Sequence, residues 1–309
     1  MCGSAAVSLM AAKRLLARSD SKSGPEFDEN LMVFLADIHA GVGKKCACAR
    51  EKFVETVSEI MKMRPLPRNV IVFGDVAHLY GIGADYDFSR RHFKILEDAG
   101  IAVTIGMGNH DRRSEYAKRW PEAAAKSLVP GRYVHIVETP HVDFLMIDSL
   151  QGADDRALND KGPVSGALSD NQQEFMCDFL AKRTKPVILC AHHKAGELQL
   201  RDKSLTSFLA ATPCVAGYIH GHNHRWHRDW HRTEAPVLQR AKRELGLPSN
   251  GLWGDIGYAT CRVFPDRAVV EPRLKDFWIP RPVPNEKRPP EWDDLLAEGR
   301  ASGACTIRL

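Results

Sequence analysis

Five short segments of this 309-residue chain place oxygen and imidazole donors directly after an apolar run. Together they describe a site for more than one metal ion. The apolar runs 31–36, 70–73, 101–107, 187–191 and 215–219 are followed in turn by Asp37-Ile38-His39, Gly74-Asp75, Gly108-Asn109-His110-Asp111, His192-His193 and His220-Gly221-His222-Asn223-His224. Singly, each segment is weak. Asp-x-His after a strand is more often a turn with a solvated histidine, and Gly-Asp is usually only a turn. Five strand ends that all carry such donors are hard to obtain from turns alone. Carboxylate, amide oxygen and imidazole without thiolate suit Mn, Fe or Zn. The donors outnumber what one ion needs, and Asp75 could bridge two ions because a carboxylate has two oxygens. Two ions roughly 3.5–4 Å apart form the clamp used in many phosphatases and nucleases.

The surrounding pattern supplies elements to hold these donors. Helical spacing runs over 51–63, with Phe53, Val54, Val57, Ile60 and Met61 on the apolar positions, and over 88–99, closed by Gly100. A third helix is expected over 113–128, broken or kinked at Pro121. Helices over 170–183, with Ser169 as cap, and 205–211 follow. Further strands are expected at 133–137 and 142–147, and two within 252–264. His227 and His231 alternate with Trp226 and Trp230, which reads as an amphipathic edge strand. The order strand, helix, strand, helix, strand argues for an α/β fold with a partly parallel sheet. Ligands bind such sheets beyond the carboxyl ends of the strands, where these donors lie.

The ordered set of motifs, from Asp-x-His to Gly-His-x-His over residues 37–224, resembles the calcineurin-like metallophosphoesterase family. Gly-Asn-His-Asp and Gly-His-x-His are its most specific pieces. The resemblance implies a four-layer αββα sandwich of two mixed β-sheets flanked by helices. It implies that Asp37, His39 and His224 bind one ion, that Asp75 bridges, and that Asn109, His192 and His222 bind the second. His110 would face the phosphate, stabilising the transition state or protonating the leaving oxygen. Asp111 would hold the His110 ring in one orientation. By the same analogy His192 is the ligand and not His193, which becomes a candidate for substrate contact. His220 reads equally as a support behind the site or as a core histidine. His78 stands where the purple acid phosphatase branch carries a tyrosine, so that branch is disfavoured. The implied activity is phosphoester hydrolysis, as a phosphodiesterase or phosphatase, by a metal-bridging hydroxide. Two other readings stay open: a nuclease on the same scaffold, and a silent binding module that keeps the fold.

Composition limits the rest. Apolar residues make up 44% and charged residues 27%, ordinary for a globular chain, and the net charge of +4 does not by itself argue for nucleic acid. Arg112, Arg113, Lys118 and Arg119 form the one modest basic stripe near the motifs, and a solvated helix face explains them as well. The eight cysteines include no Cys-x-x-Cys pair, which favours a reducing compartment over a disulfide framework. Cys190 and Cys214 fall in runs that read as buried strands. No apolar run is long enough to span a membrane. Residues 1–30 are expected to form an N-terminal extension, either a frayed helix or an export signal cut at its basic end, so a cytoplasmic location is favoured over an exported one. The phosphoesterase domain is expected over 31–275, with a Pro-rich tail over 276–309. The partner expected is a small-molecule phosphoester, with nucleic acid as the other candidate. The loop over 151–169 is expected to cover the site.

Overall fold

Apolar runs with no polar face are suited to strands covered on both sides, and they form them here. The computed structural model describes residues 25–152, 164–231, 242–251, 253–276 and 303–309. The chain runs β1 (Phe27–Leu35), α1 (Ala47–Lys62), β2 (Leu66–Val72), α2 (Gly83–Asp98), β3 (Ala102–Ile105), α3 (Arg113–Arg119), α4 (Pro121–Ala125), β4 (His135–Glu138) and β5 (Asp143–Met146). It continues α5 (Asp170–Ala181), β6 (Val187–Ala191), α6 (Leu205–Ala211), β7 (Val215–His220), β8 (His227–His231), β9 (Lys242–Gly246), β10 (Ile256–Phe264), β11 (Arg267–Asp276) and β12 (Cys305–Arg308). One six-stranded sheet has the order β12-β11-β10-β1-β2-β3, the other β4-β5-β6-β7-β9-β8. Both are mixed: β1, β2 and β3 are parallel, as are β5, β6, β7 and β9, while the remaining pairs are antiparallel.

Strand alternation sorts the side chains into three cores and makes the molecule four layers thick. On β1, Val33 and Leu35 join Phe53, Val57 and Ile60 of α1 and Phe93 and Leu96 of α2. The alternate residues Met32 and Phe34, with Ile71, face Phe144 and Met146 of β5, Ile188 and Cys190 of β6 and Ile219 of β7. The opposite faces of β6 and β7, through Val187, Leu189 and Tyr218, meet Met176 and Leu180 of α5 and Leu205 and Leu209 of α6. Phe34 stands edge-on to Phe73 at 5.3 Å and to Phe144 at 5.8 Å, tying the two sheets together.

Several boundaries differ from the sequence reading. Residues from Phe27 onward belong to β1, so the extension expected over 1–30 gives way to sheet there, while residues 1–24 lie outside the described residues. The Asp28 carboxylate faces Arg262 of β10, an ion pair that sequence alone does not reveal. The two strands expected within 252–264 are one long strand, β10, paired on both sides. The expected tail ends in structure: β12 pairs with β11, and Ile307 is buried against Gly217 in the core between the sheets. Residues 277–302 lie outside the described residues. The helix expected over 113–128 is two short helices meeting at Trp120-Pro121, where proline starts α4. Ser169 occupies the cap position of α5, but its hydroxyl bonds Asn171 and accepts from Arg132. The edge strand expected around His227 is β8, at the rim of the second sheet. Cys214 lies just before β7 and is only partly covered.

Since Ile307 is 1% exposed and fills the interlayer core, Ile307→Ala should lower unfolding free energy by about 3 kcal/mol. Urea titration checks this; a loss below about 1 kcal/mol would mean that β12 is not integral to the sandwich.

Candidate metal centre

The carboxyl ends of parallel strands from both sheets meet along one edge, so donors far apart in sequence converge there. β1 delivers Asp37 and His39, β2 delivers Asp75, and the segment after β3 delivers Asn109 and His110. From the second sheet, β6 delivers His192 and β7 delivers His222 and His224. The loops stay welded beyond the strands: Asp37 N–H donates to Gly74 O at 3.2 Å, His39 N–H to Asp75 O at 2.9 Å, and Gly221 N–H to His192 O at 3.1 Å.

Asp37, His39, Asp75, His222 and His224 have φ between +49° and +67°. Non-glycine residues rarely adopt this left-handed conformation, which costs about 1–3 kcal/mol each and persists only where the surroundings enforce it. Here it turns each side chain back into a common space. Gly108 completes the fit by having no side chain: a Cβ there would fall 2.2 Å from Asp75 Oδ1 and 2.3 Å from its backbone nitrogen.

Two overlapping sets of donors result. Asp37, His39 and His224 present ligand atoms within 4.8 Å of one another, as do Asp37, Asp75 and His192. His224 Nε2 lies 3.3 Å from Asp37 Oδ1 and 3.2 Å from His39 Nε2. His192 Nε2 lies 3.3 Å from Asp75 Oδ2 and 3.1 Å from Asn109 Oδ1, and His222 Nδ1 lies 3.1 Å from the same Asn109 oxygen. Asp75 Oδ2 is also 3.8 Å from His39 Nε2, so it stands between the sets. The structure therefore brings together all seven residues read from the sequence as ligands. The donors are oxygen and nitrogen atoms, crowded and almost wholly buried, a fit to a pair of cations.

Backbone carbonyls aim the rings. His192 Nδ1 donates to Phe73 O at 2.7 Å and His224 Nδ1 to Trp253 O at 3.0 Å, which leaves each Nε2 directed into the site. His222 is reversed: Nδ1 faces Asn109, while Nε2 lies 3.8 Å from the Glu197 carboxylate.

Two readings are corrected. Asp111 does not hold the His110 ring; His110 Nδ1 donates to Leu79 O at 3.0 Å. The Asp111 carboxylate is turned beneath the site, accepting from Gly108 N at 2.9 Å, Ala77 N at 3.1 Å and the Tyr86 hydroxyl at 2.9 Å. It clamps the loops after β2 and β3 together. His193 is not placed for substrate contact. It is buried, its Nδ1 lies 2.8 Å from Ser149 Oγ and its Nε2 3.0 Å from Val164 O, so both ring nitrogens are engaged by protein. His220 is likewise buried, with Nδ1 on Gly221 O at 2.7 Å and Nε2 facing Glu244 at 3.5 Å; it supports the loop from behind. The expected covering loop over 151–169 falls mostly outside the described residues.

The basic stripe is spent internally. Arg113 forms a two-pronged ion pair with buried Asp148 at 2.7 and 2.9 Å. Arg112 donates to Tyr80 O, Arg119 pairs with Asp87 and Glu115, and Lys118 pairs with Glu115. Glu197 and Trp253 were missed by sequence reading. Glu197 belongs to no motif; Trp253 had one faint signal, a bulky aromatic in the glycine-bounded stretch Gly251-Leu252-Trp253-Gly254.

Burial raises the Asp75 carboxyl, but His192, His110 and His39 outweigh it and hold the group well below the ordinary carboxylate value. Asp37 is lowered in the same way, burial being overcome by His224 and His192. The reciprocal effect on His192 is large: burial lowers it, yet Asp75 and Asp37 carry it up to about 9. Burial drives His39 down to about 3 and His222 to about 4. Burial and the Asp75 charge push Asp111 up to about 6.

These donors and this fold place two sets of metal-ligating groups side by side at the strand ends. The model of the family described as calcineurin-like phosphoesterase matches residues 32–226, and the chain belongs to that family. A curated relative, the probable cyclic nucleotide phosphodiesterase of Psychrobacter arcticus, is 28% identical over 131 residues, covering 40% of this chain and 42% of that relative. The match thus spans less than half the relative's length. Among solved structures, a dimetal phosphatase from Danio rerio matches with a TM-score of 0.59 at 15% identity, over 80% of this chain and 96% of the other. That likeness is one of fold.

Two outcomes follow from the geometry. Gly108→Ala should strip the ions and lower Tm, because the new methyl meets backbone; normal metal content by mass spectrometry would contradict the close approach. Below its pKa of about 9, His192 carries a proton that an entering cation must displace. Apparent Mn²⁺ affinity should therefore rise by about tenfold per pH unit from 6 to 8, with proton release seen by calorimetry. A flat profile would contradict the proton displacement.

Proposed function

We propose that this protein is a dinuclear metal-dependent hydrolase of small-molecule phosphoesters. The observation that carries the reading is the complete donor set gathered around Asp75. Asp37, His39 and His224 would hold one ion and Asn109, His192 and His222 a second, with Asp75 standing between the two sets. Nitrogen and oxygen donors without thiolate support Mn, Fe or Zn at both positions. When bound, the cations supply Lewis-acid activation of water and neutralise charge on the phosphoryl oxygens.

The chain's own residues do the rest. The carbonyl-anchored rings of His192 and His224 preorganise the site, so little rearrangement is needed as charge develops. His110 is the group left over for proton transfer. Its Nδ1 is occupied by Leu79 O, and its Nε2 points into the site 4.0 Å from Asp75 Oδ2. It delivers a proton from Nε2 to the departing oxygen, and the Leu79 carbonyl holds the ring in that orientation. The Asp111 clamp fixes the backbone that carries Asn109 and His110.

The full donor set speaks against a silent scaffold. The internally paired arginines speak against a nuclease, which needs free basic groups along its groove. The name of the Psychrobacter arcticus relative supports placing phosphodiesters, cyclic nucleotides among them, first in a substrate panel.

The test is a panel of mono- and diesters with metal analysis of the same sample. Turnover that is lost on chelation and restored by Mn²⁺ or Zn²⁺ is expected; a fully loaded protein that hydrolyses nothing would refute the reading. His110→Ala should lower kcat by about 10²-fold while keeping its ions. Asp75→Asn should lose the ions themselves. Equal kcat for wild type and His110→Ala would remove His110 from the mechanism.

A further inference from the structure

We propose that Trp253 is a specificity-determining residue of this site: its open indole face receives a flat aromatic group, a nucleobase or a simple aryl ring, carried by the phosphoester. The inference rests on the hydrolase reading above and narrows its substrate class. One face of the indole lies on the His224 ring, with centroids 4.7 Å apart and planes 21° apart, and on His39 at 5.4 Å and 21°. Trp253 nonetheless remains 50% exposed. Large aromatic side chains gain more than most from burial, so an indole held at the rim with surface open to water is a surface in search of a partner. Val54 and Ile95, also exposed, lie on the outer helices α1 and α2, whereas Trp253 stacks directly on two of the residues assigned to the first ion.

The backbone that carries the indole is held firmly. The Trp253 carbonyl accepts the Nδ1 proton of His224 at 3.0 Å, and Asp255 N–H donates to His224 O at 2.8 Å. Gly254 has φ of +90°, and a Cβ there would fall 2.0 Å from His224 O, so the turn that presents the indole requires glycine. A platform ordered before binding loses little freedom when a ligand ring stacks on it. Trp253 and His110 also flank the same imidazole, since His110 lies 5.3 Å from His39, centroid to centroid. One imidazole, that of His39, thus separates the platform from the residue assigned to the departing oxygen.

The experiment uses the Mn²⁺-loaded full chain and two matched ligand pairs, adenosine 5′-monophosphate with ribose 5-phosphate and phenyl phosphate with methyl phosphate. Calorimetry should show the aromatic member of at least one pair bound about tenfold tighter by wild type. Trp253→Ala should abolish that preference and Trp253→Phe should retain most of it. Preference in the adenosine pair alone assigns the platform to nucleobases; preference in the phenyl pair assigns it to aryl groups generally. No preference in wild type, or a preference that survives in Trp253→Ala at equal metal content, overturns the proposal. Should Trp253→Ala lose its ions, Trp253→Leu gives the same comparison. Failure of the hydrolase reading would appear separately, as a loaded wild-type protein that binds these ligands and hydrolyses no ester.

Discussion

The charge on Asp75 is the constraint around which the molecule is organised. A carboxylate buried this deeply is costly unless cations or hydrogen-bond donors surround it. His192 comes to it from one sheet and His39 from the other, while the backbone N–H of His110 donates to Oδ1 at 2.8 Å. Gly108 leaves room for this approach. Left-handed turns at five of the seven donor residues accompany this convergence, while Asn109 and His192 reach the same point from ordinary backbone. Strain in the loops is thus the counterpart of convergence at the centre.

The supports form graded layers around that centre. Phe73 O, Leu79 O and Trp253 O each fix one imidazole through its outer nitrogen. Asp111 and Tyr86 join the loops beneath, with Arg112 N–H donating to the Tyr86 hydroxyl at 2.7 Å. Arg113 and Asp148 lock the end of β5 to the start of α3. His193, Ser149 and Tyr218 form a further buried tier, Tyr218 donating to His193 O at 2.6 Å. These groups are not among the seven assigned ligands, yet they decide where the donors point.

Much of this was legible in the sequence, and the physical reason is periodicity. Strands covered on both faces read as unbroken apolar runs, so β6 and β7 stand where they were expected, and the donors lie at their ends because parallel strands present loops at one edge. Helices with one apolar face, such as α1, showed themselves by spacing. What remained hidden depends on three-dimensional neighbours. The Asp111 side chain could turn up toward His110 or down toward Gly108, and sequence order does not distinguish the two. His192 and His193 are adjacent letters that do separate jobs, decided by where Ser149 and Val164 lie. Strand β12 could not be read because a short run after a Pro-rich segment gains strand character only from pairing with β11. Trp253 lies where the pattern weakens, and its importance comes from the rings beneath it.

The seven donors are divided between two sheets whose facing surfaces meet through side chains interleaved in the middle of the sandwich. Phe34, Phe73, Phe144 and Ile307 therefore act as spacers that set the gap across which the two groups of donors face each other. Coordination tolerates only tenths of an ångström. Repacking this interior would register first as leakage of metal, well before the scaffold itself gave way, so variants far from any ligand could resemble lesions of the active site.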